Sequence, residues 1–162
     1  DKPWALTGHQ FKRPHNVVNS LYLKPADLER LVKERFERYE TIKKTEQRAE
    51  EYLVDDADIV VVAYGASSRV ARSAVNAARA EGIKAGLIRP ITLWPFPTDA
   101  LQRAAQHVKK FLAVEMSMGQ MVDDVRLAIH DQKPVEFYGR TGGMIPTPAE
   151  VLGAVKKAGG VL

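Results

Sequence analysis

ADIVVVAYG, residues 57–65, followed without a break by ASSRVARSAVNAARA, residues 66–80, decides the fold of this chain. The first part is a continuous apolar run that ends in glycine. A strand apolar on both faces belongs inside a sheet covered on both sides, which is the habit of parallel α/β proteins. The second part is alanine-rich, with Val70, Ala71, Ala74, Val75, Ala77 and Ala78 on one helical face. A strand–glycine–helix junction of this kind also brings free backbone N–H groups to one edge of the sheet.

The theme repeats downstream. Gly82 closes the first helix at its C′ position, and residues 84–89 read as a second strand. Pro90 breaks regularity, and residues 91–97 (ITLWPFP) form a compact apolar loop. Thr98 is placed to cap a helix running to about Val108, with Asp99 in its first turn. Residues 111–115 are the third strand, and residues 117–120 turn into a helix ending near Asp131. Residues 135–138 are the fourth strand, and residues 139–143 are a glycine-rich loop. Thr147, Pro148 and Glu150 have the spacing of a capping box with proline in the first turn. Alternating strands and helices predict a parallel sheet of at least four strands, helices on both faces and right-handed crossovers.

The region ahead of Ala57 reads differently. Pro3, Gly8, Pro14 and Pro25 make residues 1–25 an extended, irregular segment, with Trp4, Phe11 and Tyr22 laid against a surface and a short strand at residues 17–23. Residues 26 to about 52 have an apolar stripe at three- to four-residue spacing (Leu28, Leu31, Phe36, Tyr39, Ile42, Ala49, Tyr52) among Lys, Arg and Glu. This predicts one charged helix of ~40 Å, either a partner-binding arm or a cover over its own domain. The expected division is therefore an extended segment (1–25), a charged helical arm (26–56) and an α/β domain (57–162).

Composition narrows the function classes. Of 162 residues, 45% are apolar and 27% charged, as in an ordinary globular protein. Residues 1–56 carry 11 Lys/Arg against 11 Asp/Glu, and residues 57–162 carry 13 against 9. That excess is scattered, with no basic stripe of the kind nucleic-acid binders show. There is no cysteine, which removes disulfides, a thiol nucleophile and any cysteine-ligated cluster and fits a cytoplasmic location. No apolar run reaches the ~18 residues of a membrane span. The chain opens at Asp1 rather than methionine and reads as a piece of a longer polypeptide.

Ligands of open parallel sheets bind beyond the carboxyl ends of the strands, so four loops are candidate sites. Gly65, Ser67 and Ser68 could cradle a phosphate or simply cap a helix; neither dinucleotide nor P-loop spacing surrounds them. Glu115, ahead of Ser117, Gly119 and Gln120, could act in acid–base chemistry or accept loop N–H bonds. Arg140, Thr141, Gly142 and Gly143 could hold a carboxylate or phosphate, or form a turn whose arginine pairs with an acid. His9, His15, His107 and His130 have no metal-ligand spacing.

Four stretches together resemble a known family: VVVAYGASSRVARSAV (60–75), EGIKAGLIRPITLWPFP (81–97), FLAVEMSMGQMVDDVRLA (111–128) and FYGRTGGMIPTPAEVL (137–152). They are similar to the C-terminal part of the alpha-type subunit of 2-oxoacid:ferredoxin oxidoreductases, on the 2-oxoisovalerate (3-methyl-2-oxobutanoate) branch, and the opening DKPWALTG and charged helix resemble the segment before it. The resemblance implies a transketolase C-terminal-like α/β/α sandwich with five strands in the order 1-3-2-4-5. The first strand would be antiparallel and lie ahead of Ala57. It further implies an enzyme that oxidatively decarboxylates a 2-oxoacid to acyl-CoA and reduces ferredoxin. Thiamine diphosphate, magnesium and iron–sulfur clusters would sit in other domains or subunits, since this chain has no GDG…N segment and no cysteine. Its implied partners are a thiamine-binding subunit and a ferredoxin-like subunit, with Trp94, Phe96 and the charged helix as candidate contacts. The implied role is a structural, non-catalytic interface domain; the alternative is an independent module binding phosphate or coenzyme A through Ser67, Ser68 and Arg140.

Overall fold

The computed structural model describes Ala5, Gly8, Lys12 and residues 18–160. Two compact units divide between Tyr39 and Glu40. In the first, residues 18–23 form no strand; Trp4, Phe11 and Val17 lie outside the described residues. Helix α1 (Pro25–Thr45), which begins in the first unit and ends in the second, carries Asp27 in its first turn and Lys43 and Lys44 in its last, matching the helix dipole. Exposed i,i+4 pairs Arg30–Glu34 (2.7 Å) and Lys33–Glu29 (2.8 Å) line its surface. None of its residues is buried.

The second unit carries the sheet. Its elements are β1 (Ala49–Tyr52), β2 (Ile59–Val62), α2 (Gly65–Ala80), β3 (Ala85–Pro90), α3 (Thr98–Ala105), β4 (Lys110–Glu115), α4 (Met121–Ile129), β5 (Val135–Gly139) and α5 (Pro148–Gly159). The strands are ordered β1-β3-β2-β4-β5. The pairs β2–β3, β2–β4 and β4–β5 are parallel, and β1–β3 is antiparallel. The order expected from the resemblance is therefore the order observed.

Alternation along β2 builds two cores at once. Val60 and Val62 face α3 and α4, meeting Leu101, Ala104, Val125 and Ile129. Ile59, Val61 and Ala63 face α2 and α5, meeting Ala71, Ala74, Val75, Ala78, Val151 and Val155. The three-layer sandwich follows from this two-sided burial. Alanines at 71, 74 and 78 let α2 lie close to the sheet.

The charged helix ends sooner than its stripe suggests. It stops at Thr45, and Ala49–Tyr52 is an edge strand, so the sheet draws on residues ahead of Ala57. The reason lies in what the glutamates meet. Glu50 stands directly opposite Arg89 in the antiparallel register, and its carboxylate takes both Arg89 (2.9 Å) and Arg72. Glu51, on the other face, takes Arg103 at 2.5 Å. Tyr52 stacks under the Arg72 guanidinium, 4.2 Å from the ring centroid, and donates its hydroxyl to Asn76 Oδ1 (2.9 Å). Charged residues on an edge strand also discourage further strand addition. Local spacing read as a helix was overridden by these cross-strand and helix–strand pairs.

The β1–β2 connection is clamped by one residue of α2. Arg79 donates to Ala85 O (2.6 Å), Leu53 O (2.7 Å) and both oxygens of Asp56 (2.8 and 2.7 Å). The Asp56 carboxyl is held below its usual range chiefly by the hydrogen bond from Arg79, and the Arg79 guanidinium is correspondingly raised. Gly86 in β3 runs beneath the same turn. A Cβ there would lie 2.6 Å from Leu53 O and 3.1 Å from Ala57 Cβ. Gly86→Ala is expected to destabilise the chain by about 1–3 kcal/mol, as overpacking against backbone does. Thermal denaturation should show the midpoint falling by roughly 5–10 °C, and an unchanged midpoint would mean that the turn is free to move.

Candidate functional site

All four parallel strands point the same way, so the loops at residues 65–68, 91–97, 116–120 and 140–147 gather at one edge. Gly65 enters α2 with φ +56°, a left-handed conformation that glycine adopts without penalty. Helix α2 begins at Gly65, with Tyr64 at the N-cap and no side-chain cap bond. Ser67 and Ser68 therefore lie inside the first turn and are buried, not at the cap. The Ser68 hydroxyl donates to Gly65 O (2.7 Å). A similar shift of one residue affects α3. Pro97 is its N-cap and Thr98 its first residue. The Thr98 hydroxyl turns back to Phe96 O (3.4 Å), while Gln47 Oε1 accepts from the Asp99 N–H (3.1 Å).

Glu115 is the most buried ionisable side chain of this edge, at 1% exposure. Its carboxylate accepts from the backbone N–H of Gln120 (3.1 Å), Met121 (3.0 Å) and Val122 (2.9 Å) and from the Ser117 hydroxyl (3.0 Å). Ser117 Oγ in turn accepts from the Gly119 N–H (3.0 Å). Glu115 thus satisfies the orphan amides at the start of α4 from outside the helix, in the field of its positive end. Of its two sequence readings, the acceptor of loop N–H bonds is the one the geometry carries.

Arg140 is likewise engaged. It meets Glu150 at 2.6 Å, and Glu150 closes a capping box with Thr147, accepting from the Thr147 N–H (2.8 Å) and hydroxyl (3.0 Å). Thr141, Gly142 and Gly143 form the turn between them, with Met144 N–H donating to Thr141 O (3.1 Å). Arg140 follows β5, two strands away in the sheet order from β2, which leads into Ser67 and Ser68. Two of the four histidines are described. The His107 ring donates to Val54 O (3.0 Å), and His130 ends α4 in a left-handed conformation. His9 and His15 lie outside the described residues.

Most of the large side chains that the edge leaves exposed are apolar. Ile91, Leu93 and Trp94 follow β3, Met116 and Met118 follow β4, and Met144 and Ile145 follow β5; each is about half exposed or more, with Met118 at 84%. Trp94 and Phe96, expected as contact residues, divide. Trp94 lies on the surface, while Phe96 packs against the core beside α3. Backbone bonds from Ile91 and Thr92 to Arg48 O (2.9 and 3.2 Å) and from the Arg48 N–H to the Thr92 hydroxyl (3.0 Å) anchor the base of this loop.

Beside this rim is a cluster that single-sequence motifs did not single out. Arg69, Arg72 and Arg89 line a cavity of about 140 Å³ with Glu50, Ser68 and Leu87. The signal was the pair Arg69/Arg72 at i,i+3 directly after the glycine turn, but Arg89 joins it only through the parallel pairing of β2 with β3, and Glu50 only through the antiparallel pairing of β1. Among the described residues no three His, Asp or Glu side chains gather where they could hold a metal ion. With no cysteine in the chain, it has no thiolate to hold an iron–sulfur cluster.

Comparison with known proteins gives a consistent set of likenesses. Residues 57–151 match the model of pyruvate:ferredoxin oxidoreductase core domain II. The chain is 47% identical over 160 residues to the ketoisovalerate oxidoreductase subunit VorB of Methanothermobacter thermautotrophicus, covering 99% of this chain and 45% of that protein. It thus spans about half the length of the curated relatives it matches. Among solved structures, a 2-oxoglutarate:ferredoxin oxidoreductase from Magnetococcus marinus superposes with a TM-score of 0.68 at 23% identity, over 85% of this chain and 24% of that one. A split-gene transketolase gives 0.58 at 23% identity, over 68% and 41%. These two establish likeness of fold.

Two substitutions test the assigned roles. Glu115→Gln places an amide N–H₂ against N–H donors and should cost about 1–3 kcal/mol. Hydrogen exchange at Gln120, Met121 and Val122 should accelerate, and unchanged protection there would remove Glu115 from its structural role. The second concerns Glu150, whose carboxyl is held below its usual range by the Thr147 N–H first, then by the Thr147 hydroxyl, with Arg140 and Tyr138 adding to it. A lowered folded pKa gives stability that is complete above the unfolded-chain pKa and is lost as pH falls through the folded value. The stability difference between the native chain and Glu150→Gln should therefore be constant near neutrality and shrink toward zero in acid, as read by denaturant melts across that range.

Proposed function

The chain belongs to the pyruvate:ferredoxin oxidoreductase core domain II family, and on that premise we propose that it serves as the interface domain of a larger, cytoplasmic 2-oxoacid:ferredoxin oxidoreductase. The whole enzyme would oxidatively decarboxylate a branched-chain 2-oxoacid to its acyl-CoA and pass the electrons to ferredoxin. Likeness to a ketoisovalerate oxidoreductase subunit, 47% identical over an alignment that spans 99% of the chain, supports the branched-chain substrate. Thiamine diphosphate, magnesium and iron–sulfur clusters belong to other domains or subunits on this reading, in keeping with a chain that has no cysteine. The partners are then a thiamine-binding subunit and a ferredoxin-like subunit.

The observation that carries this reading is the apolar rim at the carboxyl edge. Trp94, Leu93, Ile91, Met116, Met118, Met144 and Ile145 come from three successive loops of one edge and remain exposed. Clustered exposed apolar side chains of this kind mark interaction surfaces, and tryptophan and methionine are enriched where proteins meet. The polar groups of the same edge, Glu115 and Arg140, are consumed by bonds within the fold. An edge so arranged is suited to supporting neighbouring cofactor-bearing domains.

Trp94→Glu combined with Met118→Glu tests the role, and the melting temperature of the double variant, measured alongside, separates a lost contact from a lost fold. Co-expressed with the remaining subunits, the double variant should bind them about 30-fold more weakly, the consequence of losing ~2 kcal/mol at a central contact. Assembly at native affinity, measured by light scattering on the purified complex, would overturn the interface reading. Decarboxylation of a 2-oxoacid by this chain alone would do the same.

A further inference from the structure

Three arginines around one carboxylate are an unusual arrangement for an edge whose other charges are paired one to one. Glu50 sits between Arg72 and Arg89, the latter at 2.9 Å. Arg69, one turn nearer the start of α2, reaches the same cavity and is exposed. No hydrogen bond or ion pair engages its guanidinium among the described residues, so three positive charges face a single negative one. The cavity measures about 140 Å³. Its floor is apolar Leu87 and buried Ser68, at 1% and 4% exposure.

We propose that Arg69, Arg72 and Arg89 form a binding site for a phosphoryl-type oxyanion, with Glu50 acting as an internal occupant of part of that site. The chemistry is written in the pairing already present. Guanidinium forks match planar carboxylate and tetrahedral phosphate oxygens alike, and Glu50 shows that Arg72 and Arg89 converge on a common oxyanion position. Arg72 is held by Tyr52 beneath it, at 4.2 Å, and the Arg89 guanidinium by Glu50 at 2.9 Å. Two of the three forks are therefore fixed before any ligand arrives, which lowers the cost of ordering them. Arg69 supplies the charge that Glu50 leaves uncompensated. The site lies at the carboxyl end of β2 and β3, where open α/β sheets receive ligands, and it uses none of the residues of the apolar rim. It is independent of the interface reading, and either can fail without the other.

Titration of the native chain with inorganic pyrophosphate at low ionic strength, followed by amide and arginine side-chain NMR, provides the test. Shifts should be confined to Arg69, Arg72, Arg89 and the start of α2, with half-saturation near ~1 mM and weakening as salt is added. Arg69→Gln, a change at an exposed position, should weaken binding about 5- to 10-fold. Lys157→Gln, which removes the same charge from the far end of α5, should leave it unchanged. Glu50→Gln should tighten binding several-fold by vacating the shared position, a sign that a merely structural ion pair would not give. Its melting temperature and the independent Arg69→Gln result guard against a folding artefact. Shifts spread over all exposed lysines and arginines, equal losses in Arg69→Gln and Lys157→Gln, or no shift at these arginines would each overturn the proposal.

Discussion

Strand β2 can exist only in the middle of something. Its four residues are all buried, at 0–3% exposure, and its side chains are apolar on both faces. A backbone so placed must satisfy every N–H and C=O from neighbours on both sides, because a buried unpaired peptide group costs as much as a lost hydrogen bond. β3 and β4 supply those partners. The side chains meanwhile require an apolar layer above and another below, supplied by α2 with α5 and by α3 with α4. Parallel neighbours need crossovers, crossovers need helices, and the helices are the two layers. The loops that carry the candidate site are placed at one edge by the same requirement.

The two ends of the sheet pose a different problem, since an edge strand has a row of backbone groups with no neighbour. At one end β1 is short, and every side chain it sends outward is charged or hydroxylated: Glu50 to Arg72 and Arg89, Glu51 to Arg103, Tyr52 to Asn76. At the other, β5 is only partly buried along its length. Exposed ion pairs add little stability one by one. Here they select a register instead, because a one-residue slip would exchange the faces of Glu50 and Glu51 and strand both from their arginines.

That distinction explains what could be read from the residues alone. Interior strands advertise themselves, since burial on two faces leaves no option but apolar residues, and so β2, β3 and β4 were legible; the edge strand β5 was legible from its short run of valine and aromatics, and the Thr147 capping box from its spacing. β1 was not, because Ala-Glu-Glu-Tyr continues a helical charge pattern and becomes a strand only through Arg89, nearly 40 positions away. The same holds for the arginine cavity, whose members come from β1, α2 and β3. The helix starts were misplaced by one or two positions for a subtler reason. Ser67, Ser68 and Thr98 are residue types that cap helices, but Gly65 and Pro97 set the backbone first, leaving the hydroxyls inside the opening turn. A cap is a matter of geometry, and side-chain chemistry can only propose it.

The carboxyl edge of an open α/β sheet is where ligand chemistry ordinarily gathers, yet in this chain its strongest polar groups are turned inward. Glu115 could serve as an acid or base only if it gave up three amides of α4 and the Ser117 hydroxyl. Arg140 could serve as an anion receptor only by releasing Glu150 and opening the start of α5. Each would exchange the integrity of a helix terminus for a function. Once those groups are committed to holding the loops, what the loops present is the remainder: tryptophan, methionine, leucine and isoleucine on a rigid frame. A rigid apolar edge has little to offer a reaction and much to offer a neighbouring domain. The charge that remains uncommitted is displaced to the β1 side, around Arg69, where no helix terminus depends on it.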